Sequence, residues 1–351
     1  MRAALFHEGS RTLDLEDVAE PRPGPGEVLL RVRAAGLCGS DLGFLDGLKL
    51  PPGVRSPLLL GHEVAGEVVE VAREAGPWRA GDRVVVNPYI ACGACRVCRA
   101  GRRSICVSPS VIGLHRPGGF AEWLAVPAAN LHRLPPGLTF AQGAIVPDAV
   151  STAHHAVVAR GALAHGESVA VFGAGGLGTH GILLARLLGA APLIVVVRRE
   201  AVAARVRAMG ADRVLVGDEP SPVREIRRFT GGQGVDLALD FVGKPESVRA
   251  CVASARIGGR VVLAGVGDER LTLPPAAHLV RYELDIRGAY GAEPGEIDAV
   301  LGLAAAGRLD LARSVSAELP LAEIGRAVER LRDRTGDVVR LVVTPSAGDG
   351  R

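Results

Sequence analysis

A glycine run in the second half of the chain constrains the fold most strongly. The letters GAGGLG at positions 173–178 follow the apolar run SVAVF and precede the apolar stretch THGILLARLLGA, so they join a predicted strand to a predicted helix. In that setting the first glycine permits a tight turn, the second lets the backbone approach a pyrophosphate, and the third lets the helix pack on the strand. The start of the helix offers N–H groups and a positive dipole end to the same phosphates. The pattern predicts a dinucleotide site formed by Gly173, Gly175, Gly176, Leu177 and Gly178.

Strands and helices alternate through the rest of this half. The runs that have the pattern of buried strands are LIVVV, DRVLV, VDLALDFVG, RVVLAGVG and LDIRGAYG, and helical segments separate most of them. One of these helices, ESVRACVASARIGG, is expected to end at Gly258 and Gly259. The alternation predicts an α/β fold in which a doubly wound parallel sheet forms a Rossmann domain over residues 153–287.

The first part of the chain has a different character. The runs EVLLRVRAAGLC, HEVAGEVVEV and DRVVVNPYI are short, rich in β-formers and punctuated by Gly and Pro, which predicts a mainly β domain. Past residue 288, two helical segments and the strand VVRLVVTP are expected to return to this domain, which therefore covers residues 1–152 and 288–351. The terminal letters SAGDGR are expected to fray.

Four of the six cysteines form the pattern C-x2-C-x2-C-x7-C, and they are Cys92, Cys95, Cys98 and Cys106. Four thiolates close a tetrahedron around Zn²⁺ and leave no open position, so the predicted site is structural. An iron–sulfur cluster and a pair of disulfides are the alternatives. Spacings of two residues suit a metal better than disulfides, and the opening MRAALFHEG resembles a strand rather than a signal peptide.

A second zinc pattern is made by single residues. Cys38 lies in GLCGSD and His62 in GHEVAG, each beside glycines. Such a pair suits a zinc ion that keeps one position open for a ligand. Taken alone, Cys38 is as well explained as a small buried apolar residue and His62 as an ordinary histidine. The remaining cysteine, Cys251, lies in an apolar helical run and needs no role.

These motifs together resemble the zinc-dependent medium-chain alcohol dehydrogenases. GHEVAG, the four-cysteine segment, GAGGLG and ESVRACVASARIGGRVVLAGVG follow one another in that family's order and span essentially the whole chain. The resemblance implies a GroES-like catalytic domain with a structural zinc lobe, followed by the Rossmann domain. It also implies two zinc ions per chain.

The resemblance assigns the catalytic site residue by residue. Cys38, His62 and Asp148 match the three ligands of the catalytic zinc, and Glu63 matches a glutamate that can approach the metal. His154 and His155 lie past the matching point of the third ligand and are second choices. Asp41 matches the acid that hydrogen-bonds the ligand histidine, and Ser40 matches the hydroxyl that takes the alcohol proton. The implied cofactor contacts outside the glycine run are Thr152, near the nicotinamide, and Val242, Gly265, Val266 and Ala289.

Two positions depart from the family pattern. Where relatives carry a histidine that passes the proton to solvent, this chain has Gly43, so the proton leaves by another group or from Ser40 through water. Where NAD-preferring relatives end the second strand with Asp, this chain has Val197, followed by Arg198 and Arg199. Cations at a helix N-terminus oppose its dipole unless an anion lies between them, and the 2′-phosphate of NADP is such an anion. The sequence therefore favours NADP over NAD, with solvated arginines and a ribose bound by Glu200 as the alternative.

The predicted function is a zinc-dependent oxidoreductase that transfers hydride between a secondary alcohol or polyol, or the matching ketone or aldehyde, and NAD(P). A zinc-free enone or quinone reductase of the same superfamily is the alternative, and the three zinc-ligand positions argue against it. A non-catalytic binding protein that keeps the fold is a third, and retention of Ser40 and the glycine run argues against that.

Composition limits the partners. The 351 residues contain 41 basic and 38 acidic side chains, a net charge of +3, with no patch suited to nucleic acid or an anionic membrane. No apolar run reaches the roughly 18 residues of a membrane span. Thiols and zinc motifs favour a reducing cytoplasm. We therefore expect a small alcohol or carbonyl substrate and, from the resemblance, a homodimer or homotetramer.

Overall fold

A computed structural model of the protein describes residues 1–217, 221–334 and 336–345. The chain divides into two compact units, the first formed by Met1–Ala149 and Ala292–Arg351 and the second by Val150–Gly291. The sequence placed these divisions at 152/153 and 287/288. The terminal segment that was expected to fray, residues 346–351, lies outside the described residues.

The first unit begins with a mainly β arrangement. Its elements are β1 (Arg2–Phe6), β2 (Asp14–Asp17), β3 (Glu27–Leu37), α1 (Gly39–Leu45), β4 (Leu58–Leu59), β5 (Glu63–Val71), β6 (Arg83–Val86), β7 (Tyr89–Ile90), α2 (Arg96–Arg99), β8 (Ser110–Val111), β9 (Trp123–Pro127), β10 (Leu131–Arg133) and α3 (Phe140–Ala144). Strand β3 alternates buried and half-buried residues over most of its length, as expected when one face of an antiparallel sheet covers a core.

The second unit alternates strands and helices. Its elements are α4 (Ser151–His154), β11 (Val169–Phe172), α5 (Gly176–Leu187), β12 (Leu193–Val197), α6 (Glu200–Ala208), β13 (Arg213–Val216), α7 (Pro222–Phe229), β14 (Val235–Asp240), α8 (Pro245–Ser254), β15 (Ala255–Leu263), α9 (Ala276–Tyr282) and β16 (Asp285–Gly288). The strands are parallel in the order β13-β12-β11-β14-β15-β16. The order reverses between β11 and β14, which is where doubly wound sheets bind ligands. The predicted fold class is confirmed.

The helix predicted to reach Gly258 and Gly259 was too long. Helix α8 ends at Ser254, whose hydroxyl donates back to the Ala250 carbonyl at 2.7 Å, and β15 begins at the next residue. Gly258 has a φ of 67°, and the register between β14 and β15 shifts at this point. The two glycines therefore form an irregularity in a strand instead of ending a helix.

The end of the chain returns to the first unit. It forms α10 (Pro294–Ala305), β17 (Val315–Pro320), α11 (Ile324–Asp333) and β18 (Arg340–Thr344). Strand β18 pairs with β3, and β17, which the sequence did not suggest, pairs with β18. In the described part of the chain the resulting sheet has the order β10-β6-β5-β3-β18-β17, with β9 also paired to β3. None of the described helices combines the length and apolarity needed to cross a membrane.

Candidate metal centres and cofactor loop

Antiparallel pairing brings the two halves of the second zinc pattern together. Strands β3 and β5 are neighbours, with Gly36 opposite Glu63. Cys38 directly follows β3 and His62 directly precedes β5, so both lie at the same end of the sheet. Strand β18 covers the other edge of β3 with Leu341 opposite Leu37, which places Arg340 beside Cys38.

Gly36 makes room for the acid in this cluster. A Cβ atom at position 36 would lie 2.1 Å from Oε2 of Glu63, a separation that no side chain can adopt. The Glu63 side chain is fully buried, and Oε2 has no hydrogen-bond partner among the described residues. A buried carboxyl oxygen without a hydrogen-bond partner is costly, and a metal ion held by the neighbouring ligands would give Oε2 a partner.

A short π-helical turn supplies the third ligand. The turn spans Val146–Val150 and carries Asp148, and such turns recur at functional sites. Oδ2 of Asp148 lies 3.5 Å from Cys38 Sγ and 3.5 Å from His62 Nε2. With Glu63 included, one ligand atom from each of the four residues lies within 4.8 Å of the others. His154 and His155, the second choices, do not belong to this group.

The donor set fits zinc. A tetrahedral ion with a sulfur ligand at about 2.3 Å and an oxygen ligand at about 2.0 Å separates those two atoms by about 3.5 Å. The Cys38–Asp148 distance has this value. Thiolate, imidazole and carboxylate are the ligand types that zinc takes in catalytic sites, where three protein ligands leave one position for substrate.

Two further side chains orient the site. Asp41 Oδ1 lies 3.4 Å from Nδ1 of His62, and Asp41 Oδ2 accepts a hydrogen bond from the Cys38 backbone N–H at 2.9 Å. Because Nδ1–H donates to the Asp41 carboxylate, Nε2 is the nitrogen left for a metal. Ser40 Oγ lies 3.4 Å from the same Nε2, on the first turn of α1. The hydroxyl therefore lies beside the nitrogen that would bind a metal.

Arg340 is the site residue that sequence reasoning missed. Its guanidinium contacts Glu63 Oε1 at 3.1 Å, Cys38 Sγ at 3.5 Å and Asp148 Oδ2 at 3.8 Å, and the side chain is 3% exposed. The one available signal is an arginine in an otherwise apolar strand, which is unusual for a buried position.

Burial and neighbouring charges shift the pKa values of three residues of this cluster. Burial raises the pKa of Glu63 to about 8, against the opposing effect of Arg340. Burial alone would also raise the pKa of Asp148, but His62 and Arg340 hold it well below its usual range. Burial lowers the pKa of His62, yet Asp41 and Asp148 outweigh this and raise it well above the ordinary value. A divalent cation bound by these ligands would displace their protons and supply positive charge to the carboxylates.

The four-cysteine segment forms a second cluster. The Sγ atoms of Cys92, Cys95, Cys98 and Cys106 lie within 4.8 Å of one another, and those of Cys92 and Cys98 are 4.0 Å apart. Tetrahedral zinc–thiolate geometry gives about 3.8 Å for this separation, whereas a disulfide requires about 2.05 Å. All six cysteines are free thiols, which disfavours the disulfide alternative. Backbone N–H groups point at the sulfurs, as in Cys95 N–H to Cys92 Sγ at 3.4 Å.

Cys95→Ser is expected to lower the zinc content from about two ions per chain to about one, because a single ligand is lost from a closed site. The free energy of unfolding should fall by about 3 kcal/mol or more, since loss of a metal is among the costliest effects of a substitution. Metal analysis and thermal denaturation measure both. Cys251→Ser is the control, because Cys251 is buried outside both clusters and its loss should leave two ions bound. Iron in the purified protein would contradict the assignment.

The glycine run in the second unit has the geometry of a phosphate loop. It lies between β11 and α5, and Gly173 has a φ of 90°. A Cβ at Gly178 would lie 2.1 Å from the Gly173 carbonyl oxygen, so the helix packs there only without a side chain. A Cβ at Gly175 would meet no atom within 4 Å, so this position faces open space. The loop fits a pyrophosphate that approaches Gly175 and the first N–H groups of α5.

The other predicted cofactor positions follow strand ends of the same parallel sheet. Val197 ends β12, and Arg198 and Arg199 lead into α6, where Arg199 is the N-cap. The remaining turns contain Val242 after β14, Gly265 and Val266 after β15, and Ala289 after β16. Because the strands are parallel, these turns share one edge with the glycine run. Thr152 lies buried in α4.

Comparison with known proteins gives matches to both units. The family model for the alcohol dehydrogenase GroES-like domain matches residues 24–136, and that for zinc-binding dehydrogenase matches residues 176–306. L-threonine 3-dehydrogenase of Streptomyces avermitilis is 36% identical over 89% of this chain and 90% of its own length. Sorbitol dehydrogenase of Bacillus subtilis is 29% identical over 99% and 98%. The crystal structure of a zinc-binding dehydrogenase from Sinorhizobium meliloti bound to NADP is 30% identical, with a TM-score of 0.89 over 98% of this chain and 99% of the other.

Proposed function

This chain belongs to the zinc-dependent medium-chain dehydrogenase/reductase family, and on that premise we propose that it interconverts a secondary alcohol or polyol and the matching ketone, with two zinc ions and NADP. It is an oxidoreductase of the alcohol dehydrogenase type that uses NAD(P). The observation that carries the proposal is the cluster of Cys38, His62 and Asp148 with the Ser40 hydroxyl beside it. A zinc-free enone reductase has no use for three convergent ligands.

Each residue of the cluster has a defined task. When bound, zinc polarises an alcohol or carbonyl oxygen, and the nicotinamide exchanges the hydride. Cys38, His62 and Asp148 hold the metal, and Asp41 fixes the His62 ring through Nδ1. Ser40 Oγ would accept the hydroxyl proton of the alcohol while it gives its own proton to water.

The proton leaves from Ser40 directly to water. Ser40 is exposed, so solvent reaches its hydroxyl. Gly43, where relatives carry a histidine, has no side chain to relay the proton, and a Cβ there would lie 3.5 Å from Leu48. The absence of a relay residue at position 43 does not block the reaction, because an exposed hydroxyl exchanges its proton with solvent without one.

The substrate class follows from the relatives. One relative is named for threonine oxidised at position 3 and another for sorbitol, and both compounds carry secondary hydroxyl groups. The proposal is tested by initial rates with threonine, polyols and simple secondary alcohols, each with NAD and NADP, on protein of measured zinc content. Turnover of an enone in zinc-stripped protein, with no alcohol oxidised by the zinc-loaded protein, would refute it.

The charges around the second strand support NADP. Val197 is buried and brings no carboxylate to the adenosine ribose, whereas Arg198 is exposed. Glu200, the alternative ribose ligand, lies 3.2 Å from Arg207 Nη1 and is engaged there. A guanidinium binds phosphate through two parallel hydrogen bonds.

We expect a higher kcat/KM with NADP than with NAD. Arg198→Ala should weaken NADP selectively, because it removes a phosphate partner, and Val197→Asp should shift preference toward NAD by repelling the phosphate and binding the ribose. Steady-state kinetics with both cofactors measure this. A wild-type preference for NAD of tenfold, about 1.4 kcal/mol in transition-state terms, would show that the arginines are merely solvated.

The assembly is proposed to be a homodimer or homotetramer. Strand β16 is an edge of the parallel sheet, and α9 contains no buried residue. Val280 on α9 is 73% exposed, which is typical of a surface covered in an oligomer. Light scattering that gave a monomer mass at micromolar concentration would refute this.

A cytoplasmic location is proposed from the thiols. All six cysteines are free, and thiolate zinc sites persist where disulfides do not form. Cell fractionation tests this location, and recovery of the protein from an oxidising compartment would refute it.

A further inference from the structure

An arginine outside the predicted cofactor residues forms hydrogen bonds with the glycine run and with the helix that follows it. Arg205 lies on α6, and its Nη2 donates to the Ala174 carbonyl at 2.9 Å while Nη1 donates to Thr179 Oγ1 at 2.7 Å. The Thr179 hydroxyl in turn donates to the same carbonyl at 3.2 Å. Ala174 and Thr179 are both buried. One guanidinium therefore holds the loop and the first turn of α5 together.

The carbonyl that Arg205 holds belongs to the peptide that leads into Gly175. A trans peptide is planar, with its C=O and N–H pointing in opposite directions. Fixing the Ala174 carbonyl on the guanidinium therefore fixes the Gly175 N–H in the direction away from Arg205. That N–H belongs to the position where the backbone approaches a pyrophosphate and where no atom would contact a Cβ.

The hydrogen bond is also charge-assisted. Arg205 adds a full positive charge behind a loop whose helix already presents its positive end. The charge polarises the Ala174–Gly175 peptide, which makes its N–H a better donor. Arg205 lies on α6, the helix that begins directly after Arg198 and Arg199. The helix that follows the predicted ribose-binding residues therefore also supports the phosphate loop.

We propose that Arg205 is a positioning residue for the dinucleotide, which sets the Gly175 N–H for the pyrophosphate and contributes equally to NADP and NAD. The inference rests on the nicotinamide binding proposed above. It differs from the role of Arg198, whose contribution depends on the 2′-phosphate. A pyrophosphate is common to both cofactors, so Arg205 sets overall affinity without setting preference.

The test compares equilibrium dissociation constants for NADP, NAD and 2′-AMP, which carries the adenosine and its phosphate without a pyrophosphate. Arg205→Met should weaken both dinucleotides by about 10- to 100-fold, the range for a hydrogen bond to a charged group. The ratio of NADP to NAD affinity should change by less than about threefold, and 2′-AMP should bind as it does to the wild type. The equality of the two dinucleotide losses is the deciding result.

Arg249→Met is the matched control. Arg249 is a half-exposed arginine of α8 in the same unit, paired only loosely with Glu246 at 3.7 Å, and its loss should change none of the three constants. Thr179→Val provides a second variant that keeps the charge and removes the hydroxyl link; it should weaken both dinucleotides equally but less than Arg205→Met. If Arg205→Met fails to fold, this variant decides.

Three outcomes would overturn the proposal. Unchanged dinucleotide affinity in folded Arg205→Met would show that the contacts are only structural. A tenfold change in the NADP to NAD ratio would place Arg205 at the 2′-phosphate. An equal loss for 2′-AMP would show that the variant disturbs α6 as a whole. A wild-type chain that bound neither dinucleotide would refute the proposed function as well, whereas the first three results leave that function intact.

Discussion

Asp148→Asn is expected to remove zinc from the Cys38–His62–Asp148 site and to lower kcat/KM by about a thousandfold or more. The substitution keeps the shape but replaces an anionic ligand by a neutral amide, which zinc rarely accepts. Loss of the metal removes a Lewis acid worth several kcal/mol of transition-state stabilisation, and about 4 kcal/mol corresponds to a thousandfold. Metal analysis and steady-state kinetics on one preparation measure both effects.

Asp298→Asn is the matched control for this prediction. Asp298 is also a carboxylate of the first unit within hydrogen-bond distance of a histidine, with Oδ1 2.7 Å from His132 Nδ1, but it lies outside both metal clusters. Its loss should leave zinc content and turnover unchanged. His62→Ala gives the reference for complete loss of the ion. Full zinc occupancy and wild-type rate in Asp148→Asn would show that another group, such as Glu63, is the third ligand.

The fold could be predicted because its signals are local. The period of the apolar residues distinguishes strand from helix over short windows, and the glycine run punctuates the chain where the fold requires it. The failures occur where pairing with another strand decides the structure. Gly258 and Gly259 indicated a helix end, but the pairing of β15 with β14, which the sequence does not display, makes that segment a strand. Strand β17 escaped notice because its residues, VSAELP, have no clear alternation.

The site could be predicted only as far as its motifs reach. Cys38 and His62 lie in short motifs, and Asp148 was placed by family resemblance. Arg340 has no motif and contacts Glu63 across 277 positions of sequence. Arg205 was missed for a different reason. In the sequence, an arginine on an amphipathic helix has the pattern of a solvent-exposed side chain, and only the structure shows that it contacts a backbone carbonyl. Contacts between a side chain and a distant backbone group leave no sequence pattern.

Arg340 and the expected zinc ion both bring positive charge to the buried cluster of Cys38, Glu63 and Asp148. The site gathers the thiol of Cys38, the carboxyl group of Glu63, whose pKa of about 8 keeps it largely protonated at neutral pH, and the ionised carboxylate of Asp148, and Arg340 contacts all three. Buried charges of one sign are tolerated only when a counter-charge lies among them. In protein from which zinc has been removed, Arg340 and a protonated His62 supply this counter-charge.

Arg340→Met is therefore expected to destabilise the metal-free first unit by about 3–5 kcal/mol, the cost of leaving a buried ion without its partner. Both tryptophans, Trp78 and Trp123, lie in this unit, so urea denaturation followed by their fluorescence reports on it selectively. Arg332→Met is the control, because the Arg332–Asp46 pair at 2.9 Å is partly exposed and such pairs contribute at most about 1 kcal/mol.

A double variant separates charge from packing. Adding Asp148→Asn to Arg340→Met removes the ionised carboxylate that the arginine contacts at 3.8 Å, so the double variant should recover part of the lost stability, whereas a loss due to packing would remain. Zinc should restore more stability to Arg340→Met than to the wild type, because the ion then supplies the missing positive charge. An Arg340→Met variant as stable as the wild type, with and without Asp148→Asn, would show that the arginine does not neutralise the cluster.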